Sequence, residues 1–128
     1  MDVSYLAVDF SIFTRRGIPL RRYEAGERIF LEHDTGDAMY AVRSGAVDII
    51  SFGAMLERVE AGGVFGELAM IDDAPRAAAA LASEPTEVAV IDKPTFLTLI
   101  AEEPEFAMQI MKVMADRVRR KSGNSGSP

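Results

Sequence analysis

The stretch Phe65-Gly-Glu-Leu-Ala-Met-Ile-Asp-Asp-Ala-Pro-Arg-Ala-Ala-Ala-Ala80 sets a glycine, a carboxylate, a short apolar helical turn and an arginine within 16 residues. Gly66 lets the backbone come close to an anion, and a turn of helix over Leu68 to Ile71 would offer unpaired N–H groups at its start. Pro75 cannot continue a helix, so the chain is expected to leave it there. That returns Arg76, a planar cation with five donors suited to phosphate oxygens, toward the same spot. Glu67 would repel a phosphate beside it, so its expected partner is a neutral donor such as a sugar hydroxyl. The residues therefore point to a ligand that carries a phosphate and a ribose hydroxyl close together.

Outward from this stretch, Pro19 to Asp92 breaks into short apolar runs separated by turn residues: Arg28 to Leu31, Ala38 to Val42, Ala46 to Ile50, Met55 to Val59 and Glu87 to Ile91. With Ser44-Gly45 and Phe52-Gly53 between them, these runs predict a meander of strands closing into a sandwich or barrel. Leu6, Ala7, Phe10 and Phe13 have helical spacing, which predicts an amphipathic helix over Ser4 to Phe13 docked on the strands. Pro94 and Pro104 sit where first-turn prolines belong and predict helices over Pro94 to Glu102 and Pro104 to Lys121. Gly123 to Pro128 is small and polar and reads as a frayed tail.

The residues Gly66-Glu67-Leu68-Ala69 followed by Pro75-Arg76-Ala77-Ala78 resemble the phosphate-binding cassette of cyclic nucleotide-binding domains, found in the catabolite activator protein, protein kinase A regulatory subunits and cyclic nucleotide-gated channels. Arg76 lies nine positions after Glu67, the spacing of the kinase subunits. Gly26-Glu27, then Gly36-Asp37 followed by Tyr40, then Gly45 also resemble the family's turn glycines, so the likeness runs from about Pro19 to about Lys121. The resemblance implies a mainly β fold with flanking α-helices. In detail it implies an antiparallel β-roll or jelly-roll barrel over 19–92 with the cassette at 62–77, a short N-terminal helical segment over 1–18 and two C-terminal helices over 93–121. It implies a ligand site of Phe65, Gly66, Glu67, Leu68, Ala69, Pro75, Arg76, Ala77 and Ala78, with Arg76 on the cyclic phosphate and Glu67 on the ribose 2′-hydroxyl. Cyclic AMP is expected ahead of cyclic GMP, because Ala77 lacks the hydroxyl that cyclic-GMP-preferring members often carry after the arginine.

One local conflict stands. Ala77 to Ala82 is a helix by intrinsic propensity, whereas the resemblance implies a strand; tertiary context overrides differences of a few tenths of a kcal/mol per residue, so a strand is expected. The alternative is one longer helix broken at Pro75.

Composition narrows the function classes. At 128 residues the chain is expected to form one domain, 1–122, with 123–128 as tail and no room for a DNA-reading module. A net charge of −6 opposes nucleic-acid binding. The basic cluster Arg117, Arg119, Arg120 and Lys121 reads as solvated cations complementing a helix C-terminus. There is no cysteine to supply a nucleophile or a thiolate metal site. No apolar run of the length a bilayer needs occurs, and the N-terminus has no basic start before an apolar run, so a cytoplasmic receptor without membrane contact is expected. The single His33 lies in a polar turn, and Asp72-Asp73 lacks the further carboxylates of a calcium loop, so neither a catalytic base nor a metal or other cofactor is expected. Met108, Met111 and Met114 with Phe106, Ile110, Val113 and Val118 make the last helix apolar on more than one stripe, which suits a homodimer, an effector protein in trans or a lid over a base. Three readings follow: a non-enzymatic cyclic nucleotide sensor whose C-terminal helices move; a structural or interaction domain of the same fold in which Glu67 and Arg76 simply pair with each other; and, least supported, an enzyme.

Overall fold

The computed structural model describes residues 7–124, with side chains to residue 119. Among the described residues, eight strands form two four-stranded antiparallel sheets. The first has the order β1 (Leu20–Tyr23), β8 (Thr86–Asp92), β3 (Ala38–Ser44), β6 (Val64–Phe65). The second has the order β2 (Arg28–Phe30), β7 (Ala79–Ala82), β4 (Ala46–Ser51), β5 (Ala54–Glu60). This is a roll of two facing sheets rather than a closed barrel. Nor is it a meander, because only β4 and β5 are both consecutive in sequence and paired. The strands cross between sheets at turns such as Gly45, whose φ of 89° belongs to glycine.

The alanine run forms β7, so tertiary pairing with β2 and β4 overrides its helical propensity. Ala80 and Ala82 are buried between the sheets beside Val47 and Tyr23.

Alternation along β3 and β8 sends side chains into two cores. Tyr40, Val42 and Val88 point into the roll with Val47, Val59 and Phe65. Met39, Ala41, Ala89 and Ile91 point the other way, against the helices. The N-terminal helix α1 (Phe10–Arg15) is capped by Asp9, whose Oδ1 accepts from the Ser11 N–H at 3.0 Å. The expected span Ser4 to Phe13 is thus shifted: the chain ahead of Asp9 is not helical in the described residues, and residues 4–6 lie outside them. Helix α2 (Lys93–Glu102) is capped by Asp92 with Pro94 in its first turn. Glu103 leaves helical geometry at φ −125° and ψ 84°, and α3 (Pro104–Asn124) starts at Pro104. The α3 helix includes Gly123 and Asn124; the rest of the expected tail lies outside the described residues. Phe106 of α3 is fully buried, edge-on to Phe13 at 5.8 Å and to Phe96 at 6.0 Å.

Candidate functional site

The segment after β6 makes one turn of 3-10 helix, Glu67–Met70, one residue earlier than the helical turn expected over Leu68 to Ile71. Gly66 precedes it with φ 76°, in the left-handed region. Its carbonyl accepts from the Ala69 N–H at 3.3 Å and from Arg76 Nη1 at 3.0 Å. The turn buries Ala69 and Met70 in the core shared with Phe106, Ile110 and Val113 and leaves Leu68 exposed. Asp72 Oδ1 accepts from the Ala74 N–H at 2.8 Å, a local turn that assigns this carboxylate to the backbone.

Arg76 comes back from the turn and is buried. Its Nη2 donates to the Ala38 carbonyl at 2.6 Å, and its guanidinium carbon lies 4.1 Å from the centroid of the Phe30 ring. Its backbone is fixed between the N–H of His33, which donates to Arg76 O at 2.8 Å, and the carbonyl of Asp34, which accepts from Arg76 N at 2.9 Å. Gly36 lies flush against the guanidinium, so that a Cβ there would overlap it. Behind Phe30, Tyr40 and Phe65 stack at 5.1 Å, and burial pushes the Tyr40 phenol up, so this end of the roll is a neutral aromatic wall. Arg76 Nε has no hydrogen-bond partner.

Glu67 does not pair with Arg76. Its Oε2 lies 2.7 Å from Arg117 Nη1, and Oε1 has no hydrogen-bond partner. Arg117 Nη2 also donates to the Val64 carbonyl at 2.6 Å and to Glu57 Oε2 at 3.1 Å. Burial alone would pull this guanidinium down, but Glu67 and then Glu57 outweigh it and hold it above its ordinary value. The solvated-cation reading of Arg117 is therefore corrected: with 19% side-chain exposure it joins α3 to the cassette. The signal was in the spacing, since Phe106, Ile110, Val113 and Arg117 share one stripe of the helix. Arg119 is exposed as expected, and the side chains of Arg120 and Lys121 lie outside the described residues.

Of the predicted site residues, Gly66, Glu67 and Arg76 are brought together, with Arg76 bonded to the glycine that precedes Glu67. Phe65 is buried in the roll and Ala69 beneath the turn, while Leu68, Pro75 and Ala77 are exposed and Ala78 is half-buried. The sequence reading did not single out Phe30, Gly36 or Ala38 as neighbours of Arg76. A separate groove between β5 and α3, lined by Val59, Gly62, Val113 and Arg117 among others, adjoins the cassette at Arg117.

In this roll one arginine and one glutamate are buried next to a left-handed glycine, and the comparisons show which class of domain carries this arrangement. The family model described as the cyclic nucleotide-binding domain matches residues 20–103, and the chain belongs to that family. It is 37% identical over 82 residues to the cAMP-dependent protein kinase regulatory subunit of Yarrowia lipolytica, 64% of this chain and 22% of that protein. It is similar to the solved catabolite activator protein of Thermus thermophilus, with TM-score 0.79 and 30% identity over 88% of this chain and 55% of that one. It is also similar to a solved protein of a cyclic-GMP-dependent signalling pathway that regulates bacterial phytopathogenesis, with TM-score 0.74 and 27% identity over 93% and 95% of the two chains. The chain spans less than half the length of the curated relatives it matches. No helix among the described residues is long and apolar enough to cross a membrane.

Proposed function

We propose that this domain is a cytoplasmic, non-enzymatic sensor of a cyclic nucleotide, with cyclic AMP as the ligand. It would act as one unit over residues 1–122 with its cassette at 62–77. Arg76 binds the exocyclic oxygens of the cyclic phosphate, helped by backbone N–H groups of Leu68, Ala69 and Ala77, the Ala69 N–H turning to it from the Gly66 carbonyl. Glu67 accepts from the ribose 2′-hydroxyl. The observation that carries this reading is that each of the two buried charged residues of the cassette keeps a buried polar atom without a hydrogen-bond partner, the acceptor Glu67 Oε1 and the donor Arg76 Nε, Arg117 Nε on α3 being the third such atom among the described residues. A buried polar atom without a partner costs about 1 to 3 kcal/mol, and a phosphate oxygen and a hydroxyl are the groups that would satisfy these two.

The output is α3. Because Arg117 holds Glu67, a ligand that takes up Glu67 changes what anchors this helix, and the exposed stripe of Met108, Met111 and Val118 offers it a second surface on an effector or another copy of the chain. The methyl of Ala77 leaves the guanine amino group unpaired, which favours cyclic AMP over cyclic GMP.

A second reading, a structural domain that keeps the roll without the ligand, is favoured by one observation. Arg76 already has two carbonyl acceptors, and Glu67 has Arg117. Titration calorimetry with cyclic AMP, cyclic GMP and linear 5′-AMP separates the two. Binding of cyclic AMP ahead of both competitors is expected, and absence of binding by any cyclic nucleotide would overturn the sensor reading.

A further inference from the structure

The free edges of the two sheets, β5 and β6, both reach the guanidinium of Arg117. β6 contributes the Val64 carbonyl, β5 contributes Glu57, and the cassette contributes Glu67. Glu57 is an unusual residue for its place. It is opposite Ile49 in the β4–β5 ladder, and opposite residues share a face, so it stands on the side of β5 that faces the interior of the roll, where Ile49 packs. Its neighbour Arg58 takes the outer face and pairs there with Asp48 at 2.8 Å. A charge on the inward register of a strand is costly unless it meets an opposite charge, and Glu57 meets one that Glu67 also uses.

We infer that Glu57 is a positioning residue that sets how strongly Glu67 can engage the ribose hydroxyl, an inference that rests on the function proposed above. Arg117 has more donors than Glu67 can occupy, and its charge is divided between the two carboxylates. With Glu57 taking a share, Glu67 is held in place by one oxygen and keeps Oε1 for a hydroxyl donor. Without Glu57, Glu67 becomes the sole carboxylate on a largely buried cation, and the hydroxyl must compete with a stronger ion pair. Glu57 thus acts through Arg117 without touching the sugar.

The test compares cyclic AMP with 2′-deoxy cyclic AMP by calorimetry on the parent and on Glu57→Gln. In the parent, loss of the hydroxyl is expected to weaken binding roughly tenfold or more, the worth of a hydrogen bond to a charged group. In Glu57→Gln that ratio should fall to about two- or threefold while affinity for the deoxy analogue stays within about twofold of the parent. Glu57→Asp, which keeps the charge, should restore much of the ratio. A merely structural residue would weaken both nucleotides equally and leave the ratio unchanged, and that result would overturn the inference. Should the glutamine variant be poorly folded, Glu57→Thr, a neutral strand-favouring residue, is held to the same criterion. If the parent binds and discriminates but the variants keep its ratio, only the role of Glu57 falls. If the parent binds no cyclic nucleotide, the sensor reading falls and takes this one with it.

Discussion

β3 carries two faces with opposite characters. On the helix side, Met39 and Ala41 meet Phe106, Ile110 and Val113 in a core of apolar residues. On the roll side, Tyr40 stacks with Phe65, and beyond Phe30 the packing ends in a buried guanidinium and, past Gly66, a buried carboxylate. The buried cluster on the first face is made of apolar side chains. The second holds unpartnered atoms at Glu67 and Arg76. One strand therefore separates the part of the molecule that holds the fold from the part suited to a ligand, and the α3 helix touches both through Phe106 and Arg117.

If that division holds, substitutions on the two faces should have different readouts. Phe106→Ala removes a fully buried ring from the helix-side core and should cost about 3 to 5 kcal/mol of stability by denaturant titration. The folded fraction should still bind cyclic AMP with near-parental affinity; a parallel loss of affinity would break the division. Arg76→Ala should do the reverse. Loss of one member of a buried charge pair costs about 2 to 5 kcal/mol of binding, or roughly 30-fold to several thousand-fold in Kd by calorimetry. Binding within a few-fold of the parent would place the anion elsewhere.

Glu67→Gln is expected to cost about 1.5 to 3 kcal/mol of cyclic AMP affinity, because a charged acceptor is replaced by a neutral one. The variant should barely distinguish cyclic AMP from its 2′-deoxy analogue, and discrimination equal to the parent's would remove Glu67 from the ribose. The smallest effect belongs to the Asp92 cap of α2, on the helix side. Asp92→Ala should cost about 1 kcal/mol by denaturant titration, with little change in affinity. The side chain and then the backbone N–H of Thr95 hold the Asp92 carboxyl below its ordinary 3.8. A carboxyl depressed on folding stabilises at pH values above 3.8 and loses that contribution as pH falls through the lower folded value, so the gap between parent and variant should close only in acid below 3.8. A gap that persists there would mean that the charge is not what caps the helix.

The cassette was legible because its chemistry is local: Gly66, Glu67, Pro75 and Arg76 lie within a few turns of chain and each has one strong conformational or chemical habit. The long strands were legible for a related reason, since β3 and β8 are covered on both faces and read as unbroken apolar runs. β1, Leu-Arg-Arg-Tyr with its first three residues exposed, has no such run, and the two residues of β6 are too few to form a pattern. The partner of Glu67 lay 50 positions away, and its stripe on α3 announced burial but not what it would meet. Distance along the chain hid Gly36 as well, which reads in sequence as one more turn glycine.

Gly36 has a consequence for how this site can change. The atoms that a methyl group at position 36 would strike belong to the tip of Arg76, a flexible side chain, rather than to backbone. Folding can accommodate such a group by swinging the guanidinium aside, but only by giving up its hydrogen bonds to the Gly66 and Ala38 carbonyls, so the cost falls on the placement of the cation and on that end of the roll together. Position 36 thus ties ligand affinity to local stability through one side chain, from a strand-connecting loop about 40 positions upstream of the charge it sets.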